Sequence, residues 1–506
     1  MSLIDGSDSG GATGFDPAGF QLSVVMNIAD GTRIPLWMKS VDSGEAGLGA
    51  NVMGASGSAR SMGGMGSGSG SSGAALSGAD LAGLDLPIVE SVSIELSLGL
   101  TGKVTVDVAT TYELGLKLLD SPFFAVGNTI EVQLGYPRSR RFTPWMTAIL
   151  NKPSLRISPD EGLTATLNGD GGGFAALRGV SDKTWEARSY RDICEEIADE
   201  HDWDHELPGP DSVDVILAGA GFEEVSEFLK KRDVTSQHGM TDWFFVQHIC
   251  LDAGCHAFLG LSDNKGRFKL FVKERASFLA DKPKLKFLAR GNSDFKSVFP
   301  ALEFETEAEF VWLRGGSCKT STQDISAKTK KIESHEATQA TSSEPMLGDS
   351  GTPNSEKHKP ESATLQLINA DGPGRTGEYL VVSSRSPRGA RAVAQSHRDI
   401  LTLKGGITAS LSSFGIPELF PADIVELDGM GVFNGLYAIN SLTHTANDSE
   451  WTMRLELLNN ASASGLFYKY FVSDVKELKK NVEGVPEDGG EAGGGEVEVE
   501  PVDGAS

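Results

Sequence analysis

At 506 residues the chain exceeds what one hydrophobic core usually fills, so several domains are expected. A formal charge of −25 disfavours a nucleic-acid reader, and no apolar run approaches the roughly 18–20 residues of a membrane span. Cys194, Cys250, Cys255 and Cys318 include no CxxC pair, so buried free thiols are expected rather than a disulfide scaffold.

The N-terminal MSLIDGSDSGG has neither a basic start nor an apolar stretch, so no secretory signal is expected and the chain is read as folding in the cytoplasm. QLSVVMNI and TRIPLW, joined around Asp30-Gly31, read as a hairpin. Residues 43–82 are a Gly/Ser-rich insertion with too little apolar surface to fold by burial. Beyond it, LPIVESVSIELSL, TGKVTVDVAT, NTIEVQLGY, TPWMTAILN and GLTATLNG follow at short spacing, rich in Val and Ile and partly alternating, as half-buried strands do. Residues 1–42 and 83–169 are therefore assigned to a first small antiparallel β-barrel.

Residues 170–317 read as a mixed α/β middle domain. Ser189 is a good N-cap for a helix with Ile193 and Ile197 on one face and Glu195, Glu196 and Asp199 on the other. A second helix starts at Thr241 or Asp242 and stops at Gly254, with Phe245, Ile249 and Ala253 as its stripe. CHAFLG and RFKLFVK then form a hairpin. Residues 318–362 are assigned to a flexible polar linker. Residues 363–460 carry a leading helix, PRGARAVAQSHRDILTL, and then the strands GITASLSSFG, ADIVELDG, GLYAINSLTH and WTMRLELL of a second barrel. Residues 461–481 form an amphipathic helix and 482–506 an acidic disordered tail. The fold class is thus a mixed, β-rich α+β chain: two small antiparallel β-barrel-like domains around a mixed α/β middle region.

Residues 414–460 resemble the closing β segment of the phage late-control protein D family, matching its pattern in order at Gly415, Pro417, Pro421, Asp423, Gly435, Tyr437 and His444. Ala422 departs from it, since the family commonly has Gly before the Asp. Asp242, Trp243, Phe245, Ala253 and Gly254 are similar to the family's Asp-Trp-x-Phe helix, with Cys255 in place of an aromatic. The Ser189 helix and the strands of the first barrel resemble its earlier parts, so the likeness covers most of the chain outside the three low-complexity stretches.

The resemblance implies a structural hub of a phage-type tail baseplate, located in the virion tail. In it a homotrimeric ring adapts the six-fold tail tube to the three-fold spike and initiates tube assembly. The implied partners are two further copies, tail tube or tube-initiator proteins, a separate spike protein and surrounding baseplate proteins, without sequence-specific nucleic-acid binding. The alternative is a hub or spike component of a contractile injection system or bacteriocin that carries an effector.

No cofactor and no enzymatic activity are expected. His248, Cys250, Cys255 and His256 are close in sequence, but the first two point to different helix faces and the last two alternate along a strand, so packing is preferred to a metal site. HDWDHE at His201 and His205 is not HExxH, and neither GxSxG nor a P-loop occurs. Tyr437 and His444 are read as a packed aromatic and a hydrogen-bonded histidine. Two candidate partner-binding features remain. Arg138, Arg140 and Arg141 form a basic hairpin tip, read as a solvated turn or a contact for an acidic partner. Phe467, Phe471, Val475 and Leu478, widened by Leu466 and Tyr470, form an apolar helical stripe that either folds back on its own β block or docks on a neighbour.

Overall fold

The computed structural model describes residues 19–29, 31–38, 87–171, 176, 179–209, 228–262, 268–275, 279, 281–289, 293–308, 318–323, 332–337, 347, 381–384 and 407–459. The apolar stripe at Phe467–Leu478 and the helix expected at 387–403 lie outside them.

The first barrel is built from β1 (Gln21–Asn27), β2 (Arg33–Met38), β3 (Ile88–Ser97), β4 (Lys103–Thr110), β5 (Thr129–Tyr136), the short β6 (Arg141–Phe142), β7 (Met146–Ser158) and β8 (Gly162–Asp170). Helix α1 (Tyr112–Leu119) lies between β4 and β5. Seven strands close a ring in the order β1-β2-β3-β4-β8-β7-β5, antiparallel except for the short parallel step from β2 to β3. Alternation decides what fills it. In β4, Val104, Val106 and Val108 are buried while Lys103 is exposed and Thr105 and Asp107 are half-buried, the period of a strand with one face on a core.

The middle region holds β9 (Val180–Arg188), α2 (Tyr190–Glu200), β10 (Asp204–Glu206), β11 (Arg232–Thr241), α3 (Asp242–Asp252), β12 (Cys255–Ser262) and β13 (Phe268–Glu274). Ser189 caps α2 in a reciprocal capping box with Asp192, and Thr241 caps α3 by accepting from Phe244 N at 3.2 Å. Ile193, Ile197, Phe245 and Ile249 are buried, with the Trp185 ring stacked on Phe245 at 5.2 Å. Gly254 takes a φ of +75°, which ends α3 where the sequence expected it. This region joins the first barrel at the β3–β4 turn, where Gly99 N and Gly102 N donate to the β12 carbonyls of Ala257 and Leu259.

The second barrel uses β14 (Leu285–Leu288), β15 (Val298–Pro300), β16 (Glu303–Ala308), β20 (Ile407–Phe414), β21 (Ile424–Asp428), β22 (Gly435–Asn447) and β23 (Trp451–Asn459). They pair in the order β15-β14-β21-β22-β23-β20-β16, and Ala301 N and Leu302 N close the ring by donating to Leu288 O and Ser412 O. Residues 285–308, read from sequence as part of the middle domain, thus belong to this barrel. Within the span read as a flexible linker, β17 (Cys318–Gln323) and β18 (Ile332–Ala337) pair, and β17 also pairs with β19 (Val381–Ser384). The linker reading is corrected there: KTSTQ, with β-branched Thr320 and Thr322 at alternating positions, forms a ladder with IESHEA despite the polarity of both. The chain is a β-rich α+β protein.

Five strands of the two barrels follow one plan, with β3, β4, β5, β7 and β8 matching β16, β20, β21, β22 and β23. Outside them β14 runs parallel to β21 and β15, where β1 runs antiparallel to β5 and β2, so the second barrel is mixed rather than antiparallel as expected. Each barrel has a 13-residue strand, β7 or β22, followed through a short turn by a 9-residue strand, β8 or β23. Each long strand has a bulge at the same point, between Leu150 and Lys152 and between Ile439 and Ser441. The entry to the preceding strand repeats as PFFAVGNTIEV and PELFPADIVEL. In the first, Gly127 N donates to Leu150 O and Leu150 N to Asn128 O. In the second, Ala422 N donates to Ile439 O and Ile439 N to Asp423 O. Gly127 and Ala422 both sit in the left-handed region, at φ +101° and +71°. Ala422 therefore occupies a backbone position that favours glycine.

Candidate assembly site at the barrel junction

The barrels are joined by sheet hydrogen bonding rather than by a linker. The second half of β22 pairs antiparallel with β3, from Ser441 opposite Ser97 to Asn447 opposite Ser91. β22 changes partner midway: Gly435–Ala438 lie beside β21, and 441–447 lie beside β3, with β23 along the other edge. Leu442, His444 and Ala446 are buried as a result, and one apolar core runs through both barrels.

Trp451, at the start of β23, is the centre of the junction. Tyr136 of the first barrel stacks on its indole at 4.9 Å and donates its hydroxyl to Gly415 O at 2.9 Å. Gly415 lies against the indole so closely that a Cβ there would overlap the ring, which explains the glycine of the Gly-x-Pro step. Phe20 approaches the same indole at 6.3 Å and His444 at 5.6 Å.

Tyr437 is buried, donates to Phe433 O at 2.9 Å, and has its pKa pushed well up by burial. His444 is packed, and its Nδ1 has no hydrogen-bond partner among the described residues. Burial without a compensating charge lowers its pKa to about 4, so the ring is neutral at pH 7. Its pairing with Ile94 and contact with Trp451 place it where the barrels meet, and the apolar surroundings select the uncharged form.

The basic hairpin tip divides. Arg138 and Arg140 are exposed in the turn after β5, and Arg140 has a φ of +55°. Arg141 faces inward across the junction. Its Nη2 donates to Glu418 Oε2 at 2.7 Å, its Nε to the other carboxylate oxygen, and its Nη1 to Phe295 O at 3.3 Å. That fork joins the first barrel to the second, so a tie within the chain replaces the reading of Arg141 as a solvated or partner-facing turn residue.

In the middle region Asp242 is buried; burial raises its pKa, but hydrogen bonds from Gln237, His201 and Ser181 outweigh this and hold it below the usual carboxylate range. His201 Nε2 lies 2.9 Å from that carboxylate, and the ring stacks on Trp203 at 4.7 Å. Cys194, Cys250 and Cys255 are buried free thiols, and burial pushes Cys250 and Cys255 well above the ordinary thiol pKa. Among the described residues no group of three or more His, Cys, Asp or Glu side chains could hold a metal ion. A polar cleft of about 430 Å³ runs over β3, β4, β8 and β7. Its Asp107 accepts from Ser91 Oγ at 2.6 Å and Thr166 Oγ1 at 2.7 Å. No helix among the described residues is long and apolar enough to cross a membrane.

Two strand edges at the ends of the fused barrels were missed in the sequence. Among the described residues the second half of β7, residues 152–158, pairs with β8 on one side only. β16 pairs only with β20 among the described residues. Pro153 and the charged run EFETEA hid both, although the alternation in SLRIS and EFETEA was there to be read.

No protein-family model and no curated protein matches the sequence. Solved structures do resemble the fold. One is the 43 kDa tail protein of prophage MuSo2 from Shewanella oneidensis, at 10% identity, TM-score 0.49, covering 87% of this chain and 99% of that one. Another is a tail protein from Neisseria meningitidis, at 10% identity and TM-score 0.48, covering 87% and 96%. A third is an E. coli component of the type VI secretion system, described as similar to T4 bacteriophage tail proteins, at 10% identity and TM-score 0.41, covering 74% and 75%. The structures this fold is similar to thus include phage tail proteins and a type VI secretion component.

Proposed function

We propose that the chain is a non-enzymatic structural hub of a phage-type tail baseplate, acting as a homotrimeric ring between a six-fold tube and a three-fold spike. The observation that carries this reading is the duplication of one barrel plan within one chain, fused through β3 and β22. Three copies supply six barrels that share one five-strand plan, a number suited to a six-fold tube. Because the two barrels differ in sequence, the same ring keeps true three-fold symmetry toward a spike. The resemblance to late-control protein D hubs supports the same reading, as do the extended intramolecular ties at Trp451 and Arg141, which suit a rigid assembly unit.

The direct test is the copy number and symmetry of this chain in assembled particles, read by electron microscopy. Three copies about the particle axis are expected. Any other symmetry at that position overturns the proposal. Cell-wall clearing by the purified chain, abolished by a single carboxylate substitution, would overturn its non-enzymatic part.

A further inference from the structure

The repeat makes each of the five matching strands of one barrel a guide to its counterpart in the other, and one counterpart lacks its neighbour among the described residues. Aligned at their bulges, Leu155 corresponds to His444, Arg156 to Thr445 and Ile157 to Ala446. Aligned through β8 and β23 and then β4 and β20, Val92 of β3 corresponds to Phe304 of β16, Ser93 to Glu305 and Ile94 to Thr306. Within the chain, β22 and β3 are paired, and His444 and Ala446 are 1% and 0% exposed. Their counterparts Leu155 and Ile157 are 40% and 36% exposed, on an edge without a partner strand among the described residues.

We infer that the free edge of β7, over Ser154–Ser158, pairs antiparallel with β16 of a second copy of this chain, repeating between chains the β22–β3 junction found within each. Transferring the observed register places Leu155 opposite Thr306, Arg156 opposite Glu305 and Ile157 opposite Phe304. The chemistry suits that register. Arg156 and Glu305 have opposite charges and are 74% and 77% exposed at their side chains. Ile157 meets a half-buried phenylalanine, and each strand alternates as a paired edge does. Pro153 has no N–H to give, so the ladder begins at Ser154. Beside β7, α1 leaves Tyr112, Leu116 and Leu119 exposed at i, i+4 and i+7, which extends the apolar surface available to the neighbour. The contact is head-to-tail, β7 of one copy on β16 of the next, and such contacts close into rings when the rotation permits.

This inference rests on the ring proposed above, and the test separates the two. The full chain carrying Leu155→Cys and Thr306→Cys is oxidised in assembled particles, since facing strand residues lie within the span a disulfide bridges. Covalent trimers are expected with both cysteines and none with either alone. In parallel, Arg156→Glu and Glu305→Arg are each expected to reduce assembly at least tenfold while leaving the thermal transition of the isolated chain unchanged, and the double exchange to restore it. If trimers assemble without cross-linking and the charge exchanges have no effect, the register is overturned and the ring reading survives. If the unmodified chain is not trimeric in particles, both fall.

Discussion

Replacing His444 by leucine should flatten the acid side of the protein's stability curve. The imidazole is 1% exposed, wedged between β3 and Trp451, and its pKa is lowered from 6.5 to about 4. A base with a depressed folded pKa binds its proton more readily in the unfolded chain, so its effect on stability is fully favourable above pH 6.5. That contribution is lost as pH falls towards 4. From these two pKa values the loss at pH 4.5 is about 2.5 kcal/mol, and about 3 kcal/mol below both. Leucine does not titrate, so the variant should lose about 2.5 kcal/mol less than the parent chain between pH 7 and pH 4.5, whatever other groups contribute to both. Urea unfolding at the two pH values, with the m-value checked for constancy, measures the difference directly. Equal pH dependence in the two proteins would refute the reasoning, because it would mean the ring is protonated in the folded chain at no cost.

Gly415→Ala should destabilise the chain by about 1–3 kcal/mol, since the added methyl overlaps the Trp451 indole; an unchanged thermal midpoint would exclude that packing. Ala422→Gly relieves a left-handed alanine that costs about 1–2 kcal/mol, offset by greater freedom of the unfolded chain, so denaturant melts should show unchanged or slightly raised stability. Ala422→Val at the same buried position should lower it clearly. The Asp294 carboxylate is pulled slightly up by burial but held below the usual range by Ser297 Oγ and the N–H groups of Lys296, Val298 and Ser297. Its contribution should be present above the ordinary carboxylate range and lost in acid. Asp294→Ala should therefore destabilise the chain at pH 7 and converge with the parent as the carboxylate protonates, read by melts across that range. Cys194, Cys250 and Cys255 should resist a thiol reagent in the native chain and react on unfolding, a difference measured by absorbance titration.

Strands whose apolar residues alternate over a full core face were legible in the sequence: KVTVDVAT, NTIEVQLGY and WTMRLELL fall at β4, β5 and β23. So were helix ends with chemical markers, Ser189 and Thr241 at the starts and Gly254 after the second. Three kinds of feature were not. Helix α1 has only eight residues, and its contact with the barrel depends on Gly115, where a Cβ would meet Leu163 Cβ at 2.6 Å. The assignment of 285–308 to the second barrel depends on pairing with strands far along the chain, such as Phe287 beside Leu427 and Phe304 beside Leu411, which local periodicity does not encode. The junction was hidden for the same reason. Arg141 reads as one of three turn arginines until Glu418 is brought to it, and Trp451 reads as an ordinary strand residue until Tyr136 stacks on it.

In the first barrel β3 returns into β4 through a turn of a few residues, while in the second barrel β16 ends at Ala308 and the equivalent strand β20 starts only at Ile407. The entropic cost of closing a flexible connection rises only with the logarithm of its length, about 0.6 kcal/mol for each doubling. The barrel can therefore host segments of very different size at that hairpin with little change in its own stability. A folded reporter inserted between Ala308 and Ile407 should tax the barrel no more than the native connection does, which makes that hairpin a natural port for variation while the strands on either side stay fixed.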